Sequence, residues 1–392
     1  MKEGWIYKKL GDIGKFQRGG GFLKNDFIDE GFPCIHYGQI HTKFGVCVEK
    51  HLTCISKEIA SKSKIAHPND LIIVITSEDV EGSCKCTAWL GNYDVAVGAH
   101  AAIYRHNQNA KYLAYVLRSR RFNEDKTKYA HGFKVVEIKP DDIGKIEVPI
   151  APLSLQQQIV SELDLLSDVI EKQKAQIEEL DKLAQSAFYD MFGDPVTNEK
   201  SWEIKQLGDV SDITSSKRIF ANEYREDGIP FYRGKEITEK SKGQEISLEL
   251  FISEERYEEI KKSFGVPSIG DILITAVGTI GNIWVVNDTN PFYFKDGNII
   301  WVKNFKNIEP TYFKNVLTIL IATYKGEMAN GCAYNALTIV NLKKMSFALP
   351  PLALQQEFAA KVEAIEQMKA KVRQSLKESE ELFNSRMDYY FD

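Results

Sequence analysis

What this sequence lacks narrows it first. No apolar stretch is long: Leu71 to Ile75 and Leu317 to Ala322 are among the longest. Both fall far short of the roughly 20 residues a membrane-spanning helix needs. The start, Met1-Lys2-Glu3-Gly4-Trp5, has none of the apolar character of a signal peptide. A cytoplasmic chain with no membrane partner is therefore expected. Cysteine is scarce and irregular: Cys34, Cys47, Cys54, Cys84, Cys86 and Cys332 form no disulfide framework and read as reduced thiols. Cys84-Lys85-Cys86 lacks the second matched pair a zinc site requires.

Catalytic signatures are missing too. There is no GxxxxGK[ST] phosphate loop. Asn290-Pro291-Phe292 comes nearest to an amino-methyltransferase tetrapeptide but lacks its second proline and any preceding glycine-rich loop, so Pro291 reads as a turn. Pro140-Asp141-Asp142 opens like a nuclease motif. The later Glu147-Val148-Pro149 lacks the acid-x-Lys ending, which leaves a helix start or turn. The histidines show no HExxH spacing. Catalysis by this chain, and any metal or cofactor of its own, is not expected.

What is present is an ordinary folding composition, 43% hydrophobic and 27% charged over 392 residues, enough for two or three domains with real cores. The net charge of −5 hides an uneven distribution. Residues 1–150 carry 22 Lys and Arg against 18 Asp and Glu, whereas 151–192 carry 3 against 8. Local patches, not whole-chain charge, must decide whether nucleic acid is a partner.

One stretch organises the rest. From Pro152 to Phe192 there is no internal glycine or proline. Leu163, Leu166, Ile170, Gln173, Ile177, Leu180, Ala184 and Ala187 alternate steps of three and four, the seam of a coiled coil. Ser154 to Asp190 would span about 55 Å as a helix. A helix that long needs a partner, and the chain repeats it. Pro152-Leu153-Ser154-Leu155-Gln156-Gln157 returns as Pro351-Leu352-Ala353-Leu354-Gln355-Gln356, and Val362, Ile365, Val372, Leu376 and Phe383 repeat the seam.

The duplication extends to everything before each helix. Trp5 to Ile13 and Trp202 to Val210 both read W-x4-L-G-D followed by a β-branched residue. Asp70-Leu71-Ile72-Ile73 matches Asp271-Ile272-Leu273-Ile274, and Gly132 matches Gly331. Leu71 to Thr76 and Ile272 to Thr275 read as buried strands, Lys111 to Arg121 and Thr311 to Thr323 as short amphipathic helices. Gly19-Gly20-Gly21, Gly278 and Gly281 mark loops with unusual backbone angles.

Candidate chemistry sits in the loops. The first copy offers Arg18 before its glycines, Lys24, His36-Tyr37-Gly38-Gln39, Ser77 and His100. A basic cluster follows: Arg118, Arg120, Arg121, Lys126, Lys128 and Lys134 around Tyr129, His131 and Phe133. The second copy has Ser216, Lys217 and Arg218 in place of the glycine loop, Tyr232, Arg233 and Lys235 in place of the His-Tyr loop, and Thr279, Asn282 and Asn298. Such side chains suit phosphate contacts and bidentate hydrogen bonds to base edges; they also suit an ordinary solvated surface. The copies differ most here, as one reader scaffold aimed at two targets would.

The W-x4-L-G-D pair, the two buried strands after Asp and the Pro-Leu-x-Leu-Gln-Gln helix entries together resemble the specificity subunit of type I restriction-modification enzymes over nearly all 392 residues. The resemblance implies a mixed α/β (α+β) fold. Target recognition domain 1 would span residues 1–151 and spacer helix 1 residues 152–192. Domain 2 would span 193–350 and spacer helix 2 residues 351–392. The helices would pack as an antiparallel coiled coil with pseudo-two-fold symmetry. Each domain would read one half of a split site in double-stranded DNA, with contacts near Arg18, His36, Ser77 and His100, and near Lys217, Arg233, Thr279 and Asn298. Two modification (methyltransferase) subunits would dock on the helices, whose faces bearing Glu171, Glu178, Glu179 and Asp181 read as outward. S-adenosylmethionine, ATP and magnesium would belong to those subunits and to restriction/translocase subunits. The first copy departs from the family pattern at Thr76-Ser77-Glu78-Asp79, where the second has Ala276-Val277-Gly278-Thr279-Ile280-Gly281. A coiled-coil scaffold with two protein-binding heads and a stand-alone DNA-modifying enzyme are the alternatives.

Overall fold

The computed structural model describes residues 4–132, 134–329 and 336–392. Cys332, Gly331 and Phe133, which the sequence reading used, lie outside them. The chain divides into two compact units, residues 1–175 with 373–392 and residues 176–372.

The first unit is built on two sheets. One has the strand order Gly14–Arg18, Ala101–His106, Leu71–Val74, Cys86–Trp89, Cys47–Val48; the other runs Thr53–Ile55, Phe32–Ile35, Val95–Val97, Lys64–Ala66. Leu71–Val74 is central and buried at every residue, which explains an unbroken apolar run instead of alternation. The preceding Asp70 closes the turn into it, accepting from the His67 backbone N–H at 2.8 Å and ion-pairing with Arg105 at 3.2 Å. The strand Ile6–Lys9 pairs antiparallel with Glu147–Ile150, so the unit's first strand lies beside its last before the long helix.

The second unit repeats this plan. Its main sheet runs Asp212–Thr214, Ile299–Lys303, Ile272–Thr275, Ile283–Val285, and a smaller one Phe251–Ile252, Ile229–Tyr232, Tyr293–Phe294. Asp271 closes the turn as Asp70 does, accepting from the Ser268 N–H at 2.9 Å. Glu203–Gln206 pairs with Ser346–Leu349. A parallel strand pair recurs too, Cys34 beside Ala96 in the first unit and Phe231 beside Tyr293 in the second.

The helix-entry motif has a structural cause. Gln156 and Gln355 are fully buried. The Gln156 amide accepts from the Asn109 N–H at 3.0 Å and donates to the Ala151 carbonyl at 2.8 Å. Gln355 does the same with the Glu309 N–H at 3.0 Å and the Pro350 carbonyl at 2.8 Å. Each glutamine thus ties the start of a long helix to the N-terminus of the domain helix beside it, satisfying backbone groups that would otherwise be buried unpaired.

The long helices run Leu153–Phe192 and Leu352–Phe391. In the first unit Ile159, Val160 and Leu163 share a core with Met387 and Phe391 from the end of the second helix. In the second unit Phe188 and Phe192, at the end of the first helix, pack on Phe358 near the start of the second and on Tyr312. The pair is therefore antiparallel, as the family resemblance implied. Gln173, the polar residue in that seam, donates to the Ser375 hydroxyl at 2.9 Å. Glu162 accepts from Arg386 at 3.0 Å and from the Tyr390 hydroxyl at 2.6 Å.

Several expectations need correcting. Asp181 is exposed on the outward face as expected, but its carboxylate also pairs with Lys369, itself buried, at 2.6 Å. Lys111 to Arg121 is not one amphipathic helix. Ala110–Val116 is buried almost all round, and a separate helix, Arg120–Lys126, starts at a Ser119 cap. The second copy's helix is longer than expected, Pro310–Ala329. Of the three consecutive glycines only Gly21 has positive φ. Gly19 is required by close approach instead, because a Cβ there would sit 2.3 Å from the Gly98 carbonyl oxygen.

Cys34, Cys47, Cys54, Cys84 and Cys86 are free thiols. Burial pushes Cys84 up to about 12 and Cys86 to about 11, so both stay protonated. Among the described residues no group of three or more His, Cys, Asp or Glu could hold a metal ion. Nor is any helix there long and apolar enough to cross a membrane.

Candidate nucleic-acid interface

In the first unit the fold gathers candidates from distant segments. His36 caps the helix Tyr37–Thr42, its Nδ1 accepting from the Gly38 N–H at 3.3 Å. The Tyr37 ring lies 4.4 Å from the His36 ring and 4.9 Å from that of His100. Burial, then the nearby His100 and Lys24, lower the His36 pKa. The imidazole is thus held neutral near pH 7, able to donate and accept at once. Arg18 ends its strand and reaches Glu137 at 2.9 Å. Glu137 belongs to Val136–Glu137, which pairs with Thr76–Ser77, so Arg18, Ser77 and the exposed Lys134 converge on one two-stranded ribbon.

Gln39 is less available than its sequence suggested. Its Oε1 accepts from the His36 N–H at 2.9 Å, and its Nε2 donates to Thr53 at 3.0 Å. It is a helix-capping residue. The basic cluster also dissolves on folding. Arg118 donates to the Cys86 carbonyl, Arg120 pairs with Asp392, Lys128 with Asp125, and buried Lys126 donates to the carbonyls of Glu81 and Ser83. Only Lys134 of that group stays with the interface candidates.

The second unit uses the same positions with different chemistry. Arg218 pairs with Asp296 at 2.7 Å, and Lys217 lies 4.8 Å over the Phe264 ring. Ser216, beside them, is half-buried. Arg233 occupies the N-cap position of the helix Gly234–Ser241, as His36 does in its counterpart; its side chain accepts no cap hydrogen bond, but its backbone N–H donates to Glu236, which replaces Gln39. Its guanidinium is held by buried Glu236 at 2.9 Å and by Glu249 at 2.7 Å, and Lys235 meets Glu249 at 2.7 Å. Those hydrogen bonds, from Lys235 first and then Arg233, pull the Glu249 carboxyl down to about 2.

A cleft of about 570 Å³ lies between this helix and the loop after the central strand, lined by Lys235, Thr238, Thr275, Gly278 and Thr279 among others. Asn282 braces it, donating to Thr238 at 2.9 Å and to the Thr279 carbonyl at 3.2 Å. The Asn298 carbonyl accepts from Ala276 at 2.8 Å. Tyr232 is not on this surface. It is 4% exposed and stacked 4.6 Å from Phe292, and burial pushes its hydroxyl up to about 12.

The sequence reading missed the carboxylates. Glu137, Asp296, Glu236 and Glu249 partner the candidate cations, mostly across long sequence separations. An anionic ligand must therefore displace or outcompete them. Both units present donors at the end of a sheet strand, at a helix N-terminus and beside the loop after the central strand.

Comparison with known proteins agrees with this duplication. The profile of the type I restriction modification DNA specificity domain matches residues 2–182 and again 199–379. A putative type I restriction enzyme specificity subunit of Haemophilus influenzae is 27% identical over 318 residues, 78% of this chain and 79% of that protein. The EcoKI specificity subunit of Escherichia coli is 21% identical over 399 residues, 93% of this chain and 82% of its own. The crystal structure of a type I restriction-modification S subunit from M. genitalium superposes with a TM-score of 0.59 at 16% identity, covering 99% of this chain and 96% of that one.

Proposed function

Because the chain belongs to the family of type I restriction modification DNA specificity domains, matched over both repeats, we propose that it reads a bipartite site in double-stranded DNA, one half per repeat. It would direct methylating and restricting partners to that site and perform no chemistry itself. The observation that carries this reading is the pairing of a common scaffold with divergent donor sets. His36 and Arg233 hold the N-cap positions of equivalent helices, and Arg18 ends, and the Ser216–Arg218 segment follows, equivalent strands, yet the side chains differ. A protein that must read two different half-sites needs that combination. The relatives are named specificity subunits, one of them of the EcoKI restriction enzyme, which supports partners of that kind here. Two modification subunits would dock along the long helices and bring S-adenosylmethionine, while restriction/translocase subunits would bring ATP and magnesium.

Exchanging residues 1–150 for the matching part of a relative tests this. Mapping methylated adenines in host DNA should show one half of the motif changed and the other kept. A change in both halves would mean that the repeats do not read independently.

A further inference from the structure

The two repeats share a feature that the DNA-reading proposal does not use. Leu23 and Phe220 are large apolar residues held out in solvent, 67% and 60% exposed. They stand 197 residues apart, the offset that relates Trp5 to Trp202. Each follows a buried apolar anchor, Phe22 at 4% and Ile219 at 5% exposure. Each also opens a single 3-10 turn, Lys24–Asp26 or Ala221–Glu223. The backbone N–H of Leu23 donates to the Asp26 carboxylate at 2.6 Å, and that of Phe220 to Glu223 at 2.7 Å. Glu223 is itself gripped by Arg256 at 2.8 Å.

A lone exposed apolar residue needs no explanation. The same exposure in two diverged copies, over the same anchor and the same carboxylate clasp, does. The clasp fixes the main chain, so the side chain stands at a set place. That place adjoins the candidate interface. Phe22 packs 6.2 Å from Phe27, whose ring meets His36 at 5.6 Å, and only Ile219 separates Phe220 from Lys217 and Arg218.

We propose that Leu23 and Phe220 are apolar wedges, one per half-site, which press into a base step of the duplex and partly unstack it. Resting on the DNA-reading proposal, this inference names two residues that position the DNA. The chemistry fits: apolar side chains of this size widen base steps, and the contact excludes water from both surfaces. Flanking cations supply the non-specific attraction, and the wedge adds a contact that depends on how easily the step opens.

The test uses the full chain assembled with its modification subunits and duplexes bearing the mapped motif, with 2-aminopurine placed singly along each half. Wild-type complex should raise the fluorescence at one step in each half. Leu23→Ala should abolish the rise in the first repeat's half only, and Phe220→Ala in the other half only. Each should weaken specific binding about tenfold and leave the salt slope unchanged, since an apolar contact releases no counterions. Leu23→Met and Phe220→Leu should retain the signal. Unchanged fluorescence and affinity in both alanine variants would overturn the proposal. So would alanine variants that bind DNA normally but shed a modification subunit, which would make these residues a protein contact. A wild-type complex that prefers no bipartite duplex would instead overturn the DNA-reading proposal on which this one stands.

Discussion

Glu249 holds two of the cations proposed to meet DNA in the second unit, and replacing it should change how that unit responds to salt. Its carboxylate oxygens meet Arg233 and Lys235, each at 2.7 Å. Glu249→Gln keeps the shape and removes the charge. Lys235 then loses its only ion-pair partner among the described residues, whereas Arg233 stays gripped by buried Glu236. One further cation is therefore free for a phosphate. A single added phosphate contact steepens the dependence of log Kobs on log salt by about 0.9. On that slope, non-specific affinity should rise about eightfold at 0.1 M salt and converge with wild type toward 1 M. Removing a repelling carboxylate from the proposed DNA face acts in the same direction. Fluorescence anisotropy of a non-specific duplex, titrated with the assembled complex from 50 to 300 mM salt, reads both quantities. A slope equal to wild type would refute the argument, because it would place Lys235 away from the phosphates. A shallower slope would do so more strongly.

Other consequences can be measured on the same chain. Burial depresses His106 to about 4, so between pH 6.5 and 4 the unfolded chain binds a proton that the fold refuses. Stability should therefore fall with pH across that window by about 1.4 kcal/mol per unit, seen as a falling urea midpoint; His106→Gln should flatten the fall, and an equally steep fall in the variant would clear His106 of the effect. Gln156→Leu or Gln355→Leu strands one buried N–H and one buried carbonyl, which should cost about 2–4 kcal/mol in denaturant unfolding. Gln356→Ala, at the exposed neighbour, should change stability by less than about 0.5 kcal/mol, and equal losses at both positions would contradict the assigned role of the first glutamine. Arg218→Ala should weaken binding about 1–3 kcal/mol at one base pair only if the side chain reads a base edge; uniform loss across sequences with a lower salt slope would make it a phosphate contact.

The sequence by itself determined the duplication, the long helices and the central buried strands. These are local facts: heptad spacing without glycine or proline makes the helix from Leu153 to Phe192, and an unbroken apolar run makes Leu71–Val74 a strand covered on both faces. It also marked Gln156 and Gln355 as a repeated signal, although not their task, because the carbonyls and N–H groups they satisfy become neighbours only on folding. Tertiary structure alone decided which charged residues are available. Lys126 is buried under two carbonyls, Arg120 is spent on Asp392, Arg18 on Glu137 and Arg218 on Asp296. A cation's partner is whatever carboxylate the fold brings within about 4 Å, and Coulomb attraction is indifferent to distance along the chain. The burial of Tyr232 and the exposure of Phe220 were settled in the same way, by which neighbours the sheets and turns supplied.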